Sequence, residues 1–327
     1  MKRSANDAGR RISAVGAAVF ISGCLVSVAP VFGSEAKPSN GGFAILKDDA
    51  SRAQLFKKVE AEEKVKIIEA NPGQKFIPYK FQFPLDTTHD TKLGVDRRDV
   101  FFGIDISHYT GNIKFSTLRT LNNVSFVYAK ATQGTSYADG KFASFYKSLR
   151  SLPEPQRVKI GAYGFLSSIG NGADQGNRFV DYVLAHGGFE DGDMPPVVDL
   201  EWDITSKGGP DRWKGTKPSA IVDSVLGWAR AVKVRTHREP LIYTARAWLK
   251  ERGFSQEDIG RLGEFRIWTA DYSQSGRGLE DPGSVLGLNW SIWQFSDKSN
   301  LKAGYKGFLD ANIFKGTADQ FQEFSSR

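Results

Sequence analysis

From Val100 onward the chain alternates between two hydrophobic periodicities, and that alternation restricts its fold more than any other feature. Apolar runs of strand length recur at Phe101–Ile106, Val124–Ala129, Val158–Phe165, Pro196–Leu200, Leu241–Tyr243, Phe265–Thr269, Asn289–Gln294 and Gly307–Leu309. Helix-length segments separate the first six: Ser116–Asn122, Lys141–Leu152, Ala173–His186, Pro218–His237 and Ala247–Leu262. Strands alternating with helices imply a parallel sheet covered by helices, and eight strands suggest closure into a barrel. After the sixth run the pattern breaks. The Asp271–Gly287 connection is rich in Gly, Ser and Pro, and Ser296–Lys306 is short and polar. The expected fold class is α/β, a TIM-type barrel of about five strand–helix units followed by three strands with irregular connections.

In such barrels, functional residues collect at the C-terminal ends of the strands. The fourth run, Pro195-Pro196-Val197-Val198-Asp199-Leu200-Glu201, ends in two carboxylates separated by one residue. Side chains i and i+2 of a strand share a face, so Asp199 and Glu201 project together. Two adjacent acids oppose each other's ionisation, and apolar surroundings raise a carboxyl pKa further. One acid held protonated beside an ionised partner is what cleavage of a glycosidic bond requires. An isolated Asp-x-Glu is more often a solvated strand end, so the neighbours decide. Asp105 lies near the end of the first strand, and Asp310 is expected to follow the last. Closure makes those two strands neighbours, and the two acids should face each other across the seam.

Composition excludes several classes. A single cysteine, Cys24, rules out a disulfide framework and a cysteine-based zinc site. The four histidines show no metal-ligand spacing, and no metal or other cofactor is expected. The formal charge is +7, of which Lys2, Arg3, Arg10 and Arg11 against Asp7 place +3 in the first 33 residues. The remainder is dispersed, with no basic block or motif for nucleic acid, and suits an anionic polymer no better than an ordinary surface.

Residues 1–33 read as a targeting segment. Basic residues precede the uncharged apolar run Ile12–Phe32, as in a secretory leader or a membrane anchor. Ile21-Ser22-Gly23-Cys24 resembles a bacterial lipobox and makes Cys24 a candidate for lipidation. Residues 34–98 form an extension that begins with a Gly- and Pro-containing linker. A helical stripe over Asp48–Ala70 (Leu55, Phe56, Val59, Ile68) ends at Asn71-Pro72-Gly73. This extension is either a stalk or a segment packed on the main domain, which spans 99–327.

Several motifs occur in a fixed order: Gly103-Ile104-Asp105-Ile106-Ser107-His108, Tyr128-Ala129-Lys130-Ala131-Thr132, Gly161-Ala162-Tyr163, Val198-Asp199-Leu200-Glu201, Ile242-Tyr243-Thr244, Ile267-Trp268, Trp293-Gln294-Phe295 and Leu309-Asp310-Ala311-Asn312. Over about 101–318 this series resembles glycoside hydrolase family 25, the Chalaropsis-type lysozymes or N-acetylmuramidases. The resemblance implies a modified (β/α)5(β)3 barrel that hydrolyses the β-1,4 bond between N-acetylmuramic acid and N-acetylglucosamine in peptidoglycan. It implies Glu201 as general acid, Asp199 as the carboxylate that orients or stabilises the reacting sugar, and Asp105 and Asp310 as the other acids of the cleft. Participation of the substrate's own acetamido group has been proposed for the family, and Asp199 would then polarise that amide. Tyr163, Trp268 and Asp271 match positions that shape the sugar sites, although barrel packing accounts equally well for the aromatics. Three positions depart from the family pattern. Tyr109-Thr110 stands for Trp-Gln, Gln133 for a Glu and Gly164 for a His.

The leading expectation is an exported, monomeric peptidoglycan hydrolase, periplasmic or extracellular, with N-terminal membrane or lipid attachment as an option. A catalytically silent glycan-binding or scaffold protein on the same barrel is the alternative. A metal-dependent polysaccharide-modifying enzyme is a third, disfavoured by the scattered histidines.

Overall fold

The computed structural model describes residues 57, 58, 61, 80–90, 94–205, 209–272, 282 and 286–326. Eight strands form the barrel: β1 (Val100–Ile106), β2 (Phe126–Gln133), β3 (Lys159–Phe165), β4 (Val197–Leu200), β5 (Leu241–Ala245), β6 (Arg266–Ala270), β7 (Trp290–Leu301) and β8 (Leu309–Lys315). Neighbours from β1 to β7 pair in parallel. β8 then pairs antiparallel with both β7 and β1 and closes the ring. Helices α1 (Leu118–Asn122), α2 (Phe142–Arg150), α3 (Gly172–Leu184) and α4 (Pro218–Thr236) lie between successive strands. Helices α5 (Arg246–Arg252) and α6 (Gln256–Leu262) share the β5–β6 connection, and α7 (Ala318–Ser325) ends the described chain. The fold is thus a mixed α/β closed barrel with flanking helices.

Local chemistry sets these boundaries. The Asn171 side chain accepts from the backbone N–H groups of Ala173 and Asp174 and starts α3. Pro218 sits in the first turn of α4, where its missing N–H has no cost. The segment expected as one helix over Ala247–Leu262 is two. Gly253 takes φ +69° and stops α5, and a capping box of Ser255 with Asp258 starts α6. The last strand also differs from expectation, because it begins where the apolar run Gly307–Leu309 was expected to end.

Large aromatics fill the barrel, and glycines make room for them. A Cβ on Gly103 would lie 2.3 Å from the Phe126 ring, and one on Gly161 would lie 2.2 Å from Tyr128. The Tyr128 ring packs 4.8 Å from Trp268, which meets Tyr243 edge-on at 5.0 Å.

Strand β7 leads into β8 with no helix between them to cover it. Residues 80–90 and 94–98 pack here instead. Gln82–Phe83 pairs in parallel with Asn300–Leu301, at the far end of β7. Phe81 lies 4.9 Å from both Phe83 and Phe102 and 5.0 Å from Phe295. Beside them the fully buried Arg97–Asp90 pair, 2.9 Å apart, places its guanidinium 5.6 Å from the Phe102 ring. The described part of the extension is therefore packed on the barrel, and Lys57, Lys58 and Ala61 are helical; the rest of the helix expected over Asp48–Ala70, including its apolar stripe, lies outside the described residues. Truncating fully buried Phe81 to Ala should cost about 3–5 kcal/mol in urea unfolding. A loss below about 1 kcal/mol would mean that this segment is dispensable to the barrel. The targeting segment, Cys24 and the linker lie outside the described residues.

Candidate active site

Asp199 is the third residue of the wholly buried strand β4, and Glu201 stands at the bend just beyond it. Asp199 is 6% exposed, whereas Glu201 is partly exposed. The Glu201 loop is clamped on both sides. Asp203, fully buried, accepts from the Ser168 N–H at 2.7 Å, the Ser168 hydroxyl at 2.9 Å and Arg212 at 2.6 Å. The Trp202 indole donates to Glu251 on α5 at 2.7 Å, and Lys58 of the extension approaches the same carboxylate at 3.5 Å.

Across the barrel mouth, Asp105 and Asp310 are direct register partners on β1 and β8. Asp310 is the second residue of β8 rather than a residue following it. Because β8 runs antiparallel to β1, its beginning lies at the rim where the parallel strands end. The facing of the two acids therefore arises from a reversed strand.

A polar relay orients Asp105. Gln294 and Asn312 donate their side-chain amides to its Oδ2 at 2.9 and 2.8 Å. Each amide is itself fixed by a donor to its oxygen. The Tyr243 and Tyr272 hydroxyls donate to Gln294 Oε1 at 2.9 and 3.1 Å, and the Trp268 indole donates to Asn312 Oδ1 at 2.9 Å. With its oxygen engaged, each amide must turn its NH2 group toward Asp105.

The electrostatics tie the four acids together. Burial pushes the Tyr243 phenol well above its ordinary pKa, and Glu201, Asp199, Asp105 and Asp310 push it further, in that order. All four acids thus act electrostatically on one phenol. Burial also raises the Asp199 carboxyl to about 7, with the Lys130 ammonium opposing the rise and the Asp105 charge adding to it. Asp199 Oδ1 is buried without a hydrogen-bond partner in the protein. Strand geometry sinks Asp199, whose carboxyl carries this raised pKa, while Glu201 at the bend is partly exposed.

The remaining expected residues lie at different depths. Tyr163 is half-buried on β3, between Lys130 of β2 and Val197 of β4. Trp268 is 2% exposed and belongs to the aromatic packing beneath the acids. Asp271, just past β6, lies 3.7 Å from Arg246, and its carbonyl accepts the Trp293 indole N–H. Among the departures from the family pattern, Gly164 has a packing cause. A Cβ there would lie 3.0 Å from the Phe179 ring and 3.1 Å from Thr132 Oγ1, so a side chain would crowd both unless they shift. The Tyr109 ring lies tilted against His108, with centres 3.9 Å apart, and the His108 Nδ1 pairs with Asp139 at 2.8 Å. Gln133 accepts from Lys130.

Reading the motifs for acids and sugar-stacking aromatics overlooks Lys130, Tyr243, Gln294 and Asn312 as site residues. Asn312 carried a usable signal, since it stands two residues after Asp310 and shares its face. Among the described residues, no group of three or more His, Cys, Asp or Glu side chains is arranged to hold a metal ion.

Comparison with known proteins agrees with this geometry. The family model for glycosyl hydrolases family 25 matches residues 104–303. Lysozyme M1 of Streptomyces globisporus is 28% identical over 220 residues, covering 66% of this chain and 68% of its own. The N,O-diacetylmuramidase of a Chalaropsis species is 29% identical over 221 residues, covering 64% of this chain and 94% of its own. The crystal structure of the bacterial lysozyme from Streptomyces coelicolor superposes with a TM-score of 0.58 at 27% identity, covering 69% of this chain and 97% of that one. With a model that spans most of the chain and the ordered motifs mounted on a closed barrel, the chain belongs to glycosyl hydrolases family 25 and is a lysozyme-type glycoside hydrolase.

Proposed function

We propose that this enzyme is an exported N-acetylmuramidase that cleaves the β-1,4 bond between N-acetylmuramic acid and N-acetylglucosamine in peptidoglycan. The observation that carries the reading is Asp199 Oδ1, a buried acceptor with no protein partner, two residues from the more accessible Glu201 carboxyl. A lone buried acceptor calls for a donor from the substrate. The N–H of a 2-acetamido group is such a donor, and both sugars of the polymer carry one.

In this reading Glu201 protonates the glycosidic oxygen as the C1–O bond breaks. The acetamido oxygen of the same sugar closes on C1, and Asp199 stabilises the charge that develops on the amide nitrogen. Water then attacks C1, returns the acetamido group and leaves a proton on Glu201. Asp105, held by Gln294 and Asn312, and Asp310 opposite it shape the mouth around the reacting sugar. Tyr163 and Asp271 contribute to the sugar sites, with Trp268 supporting them from below.

The order of elements supports a (β/α)5(β)3 barrel within a domain of 99–327, preceded by a leader or anchor (1–33) and an extension (34–98). The basic start and the uncharged apolar run Ile12–Phe32 support export, and Cys24 is the candidate lipidation site. The enzyme is taken to work as a monomer on the polymer, without a nucleic-acid partner or a cofactor.

Digestion of purified peptidoglycan followed by borohydride reduction tests the assignment. New reducing ends should be muramitol. Glucosaminitol ends would make the enzyme a glucosaminidase, and no new ends would favour the silent glycan-binding alternative.

A further inference from the structure

Strand β8 enters the barrel at the rim where the parallel strands end, and the residue just before it is Phe308. The ladder between β8 and β1 runs without a slip up to the pair Asp310–Asp105. Continued by two residues, the same register leads to Phe308 and Ser107. Where the β7–β8 pairing slips, the extra residues belong to β7, so the alternation along β8 stays regular. Phe308 and Asp310 therefore share a side of the chain, about 7 Å apart along it, with Phe308 on the outer side of the mouth.

Phe308 is 55% exposed, and among the described residues it is the one aromatic side chain that stands open to solvent. Its backbone is firmly held. The Asn122 side chain donates to the Ala303 carbonyl at 3.0 Å and accepts the Ala303 N–H at 3.2 Å. The Lys114 N–H donates to the Gly304 carbonyl at 2.9 Å, and the Gly111 N–H to the Tyr305 hydroxyl at 3.3 Å. Tyr305 lies so close over Gly307 that a Cβ there would meet its hydroxyl at 2.6 Å. A large ring left in water on a fixed backbone gains nothing from packing. Beside a catalytic mouth it marks a place where a ligand covers it.

We propose that Phe308 is the stacking platform of an outlying sugar subsite, which makes the enzyme favour long glycan strands over short ones. The inference rests on the reading of the mouth at Asp105, Asp310, Asp199 and Glu201 as the cleft for peptidoglycan. A strand longer than the two sugars at the scissile bond has to leave the cleft over the rim. A pyranose ring presents an apolar C–H face there, which a flat aromatic ring matches. Phenylalanine has only two side-chain torsions to immobilise, so little entropy opposes the contact.

The test compares the full chain with Phe308→Ala, Phe308→Leu and Phe308→Trp, each checked for folding by circular dichroism. The kcat/KM is measured on glycan strands sorted by length. Phe308→Ala should lose roughly five- to tenfold more on long strands than on the shortest strand that is cleaved. Phe308→Trp should keep the preference for length, whereas Phe308→Leu, apolar but without a flat face, should lose most of it. An equal loss on long and short strands, no loss, or a Phe308→Leu variant that matches the parent overturns the proposal. Affinity is measured in the Glu201→Gln background for strands with and without their stem peptides. A Phe308→Ala loss confined to peptide-bearing strands would assign the ring to the peptide and overturn the sugar subsite. The parent's products judge the underlying reading separately. Absence of muramitol ends sinks the muramidase assignment whatever Phe308 does, and muramitol ends with an unmoved length preference in Phe308→Ala sink the subsite alone.

Discussion

In a Glu201→Gln variant, muropeptide release from peptidoglycan is expected to fall by roughly a thousandfold or more, while folding and glycan binding are retained. The amide keeps the size and hydrogen-bonding outline of the acid but has no proton to give the leaving oxygen. Glu201 is partly exposed at the end of the clamped loop, and the amide is nearly isosteric with the acid, so the melting temperature should shift little. The leaving group provides a sharper check. An aryl glycoside whose phenolate departs unaided needs little protonation, so Glu201→Gln should recover much of its lost rate on such a substrate. Equal losses on both substrates would remove Glu201 from the general-acid role and leave Asp199 as the candidate.

Asp199→Asn should behave differently in both activity and stability. Its rate is expected to fall by a factor of roughly a hundred or more on peptidoglycan and on the aryl glycoside alike, because the acetamido group loses its anionic partner in both. The stability effect follows from the raised carboxyl at about 7. A folded-state pKa above the unfolded value means that the native state binds the proton more tightly than the unfolded chain does. Below about pH 4 both states are protonated and the site costs nothing. As pH rises toward 7 the native state loses stability relative to the unfolded one, and above 7 the whole penalty is present. An uncharged Asn escapes that penalty. The variant should therefore melt roughly 3–8 °C above the parent at pH 8 and close to it at pH 4. A lower melting temperature at both values would make Asp199 a structural residue.

These two experiments also mark how far the sequence could be read. The Asp199-x-Glu201 spacing predicts two acids on one face, but it does not say which of them is buried. That depends on where β4 ends, at Leu200, and on the Asp203 and Trp202 contacts that hold the following bend. The facing of Asp105 and Asp310 follows from barrel closure, yet the direction of β8 does not, since an apolar run has no sense of direction until it pairs. Gln294 and Asn312 were visible inside motifs, but nothing in one dimension says that both amides converge on Asp105. Lys130 and Gln133 are the extreme case, because strand periodicity alone would have separated them.

The amino-acid sequence by itself determined the α/β class, the alternation that produces a closed barrel, and the strand ends on which the acids ride. These are properties of local periodicity, which each segment carries wherever it is placed. Tertiary structure alone decided the antiparallel return of β8, the covering of the outer barrel by Phe81 and Phe83, the burial that raises Asp199, and a bulge in β2 that turns Gln133 toward Lys130. Pairing direction, register and desolvation are relations between segments distant in the chain, and they exist only once those segments have packed together.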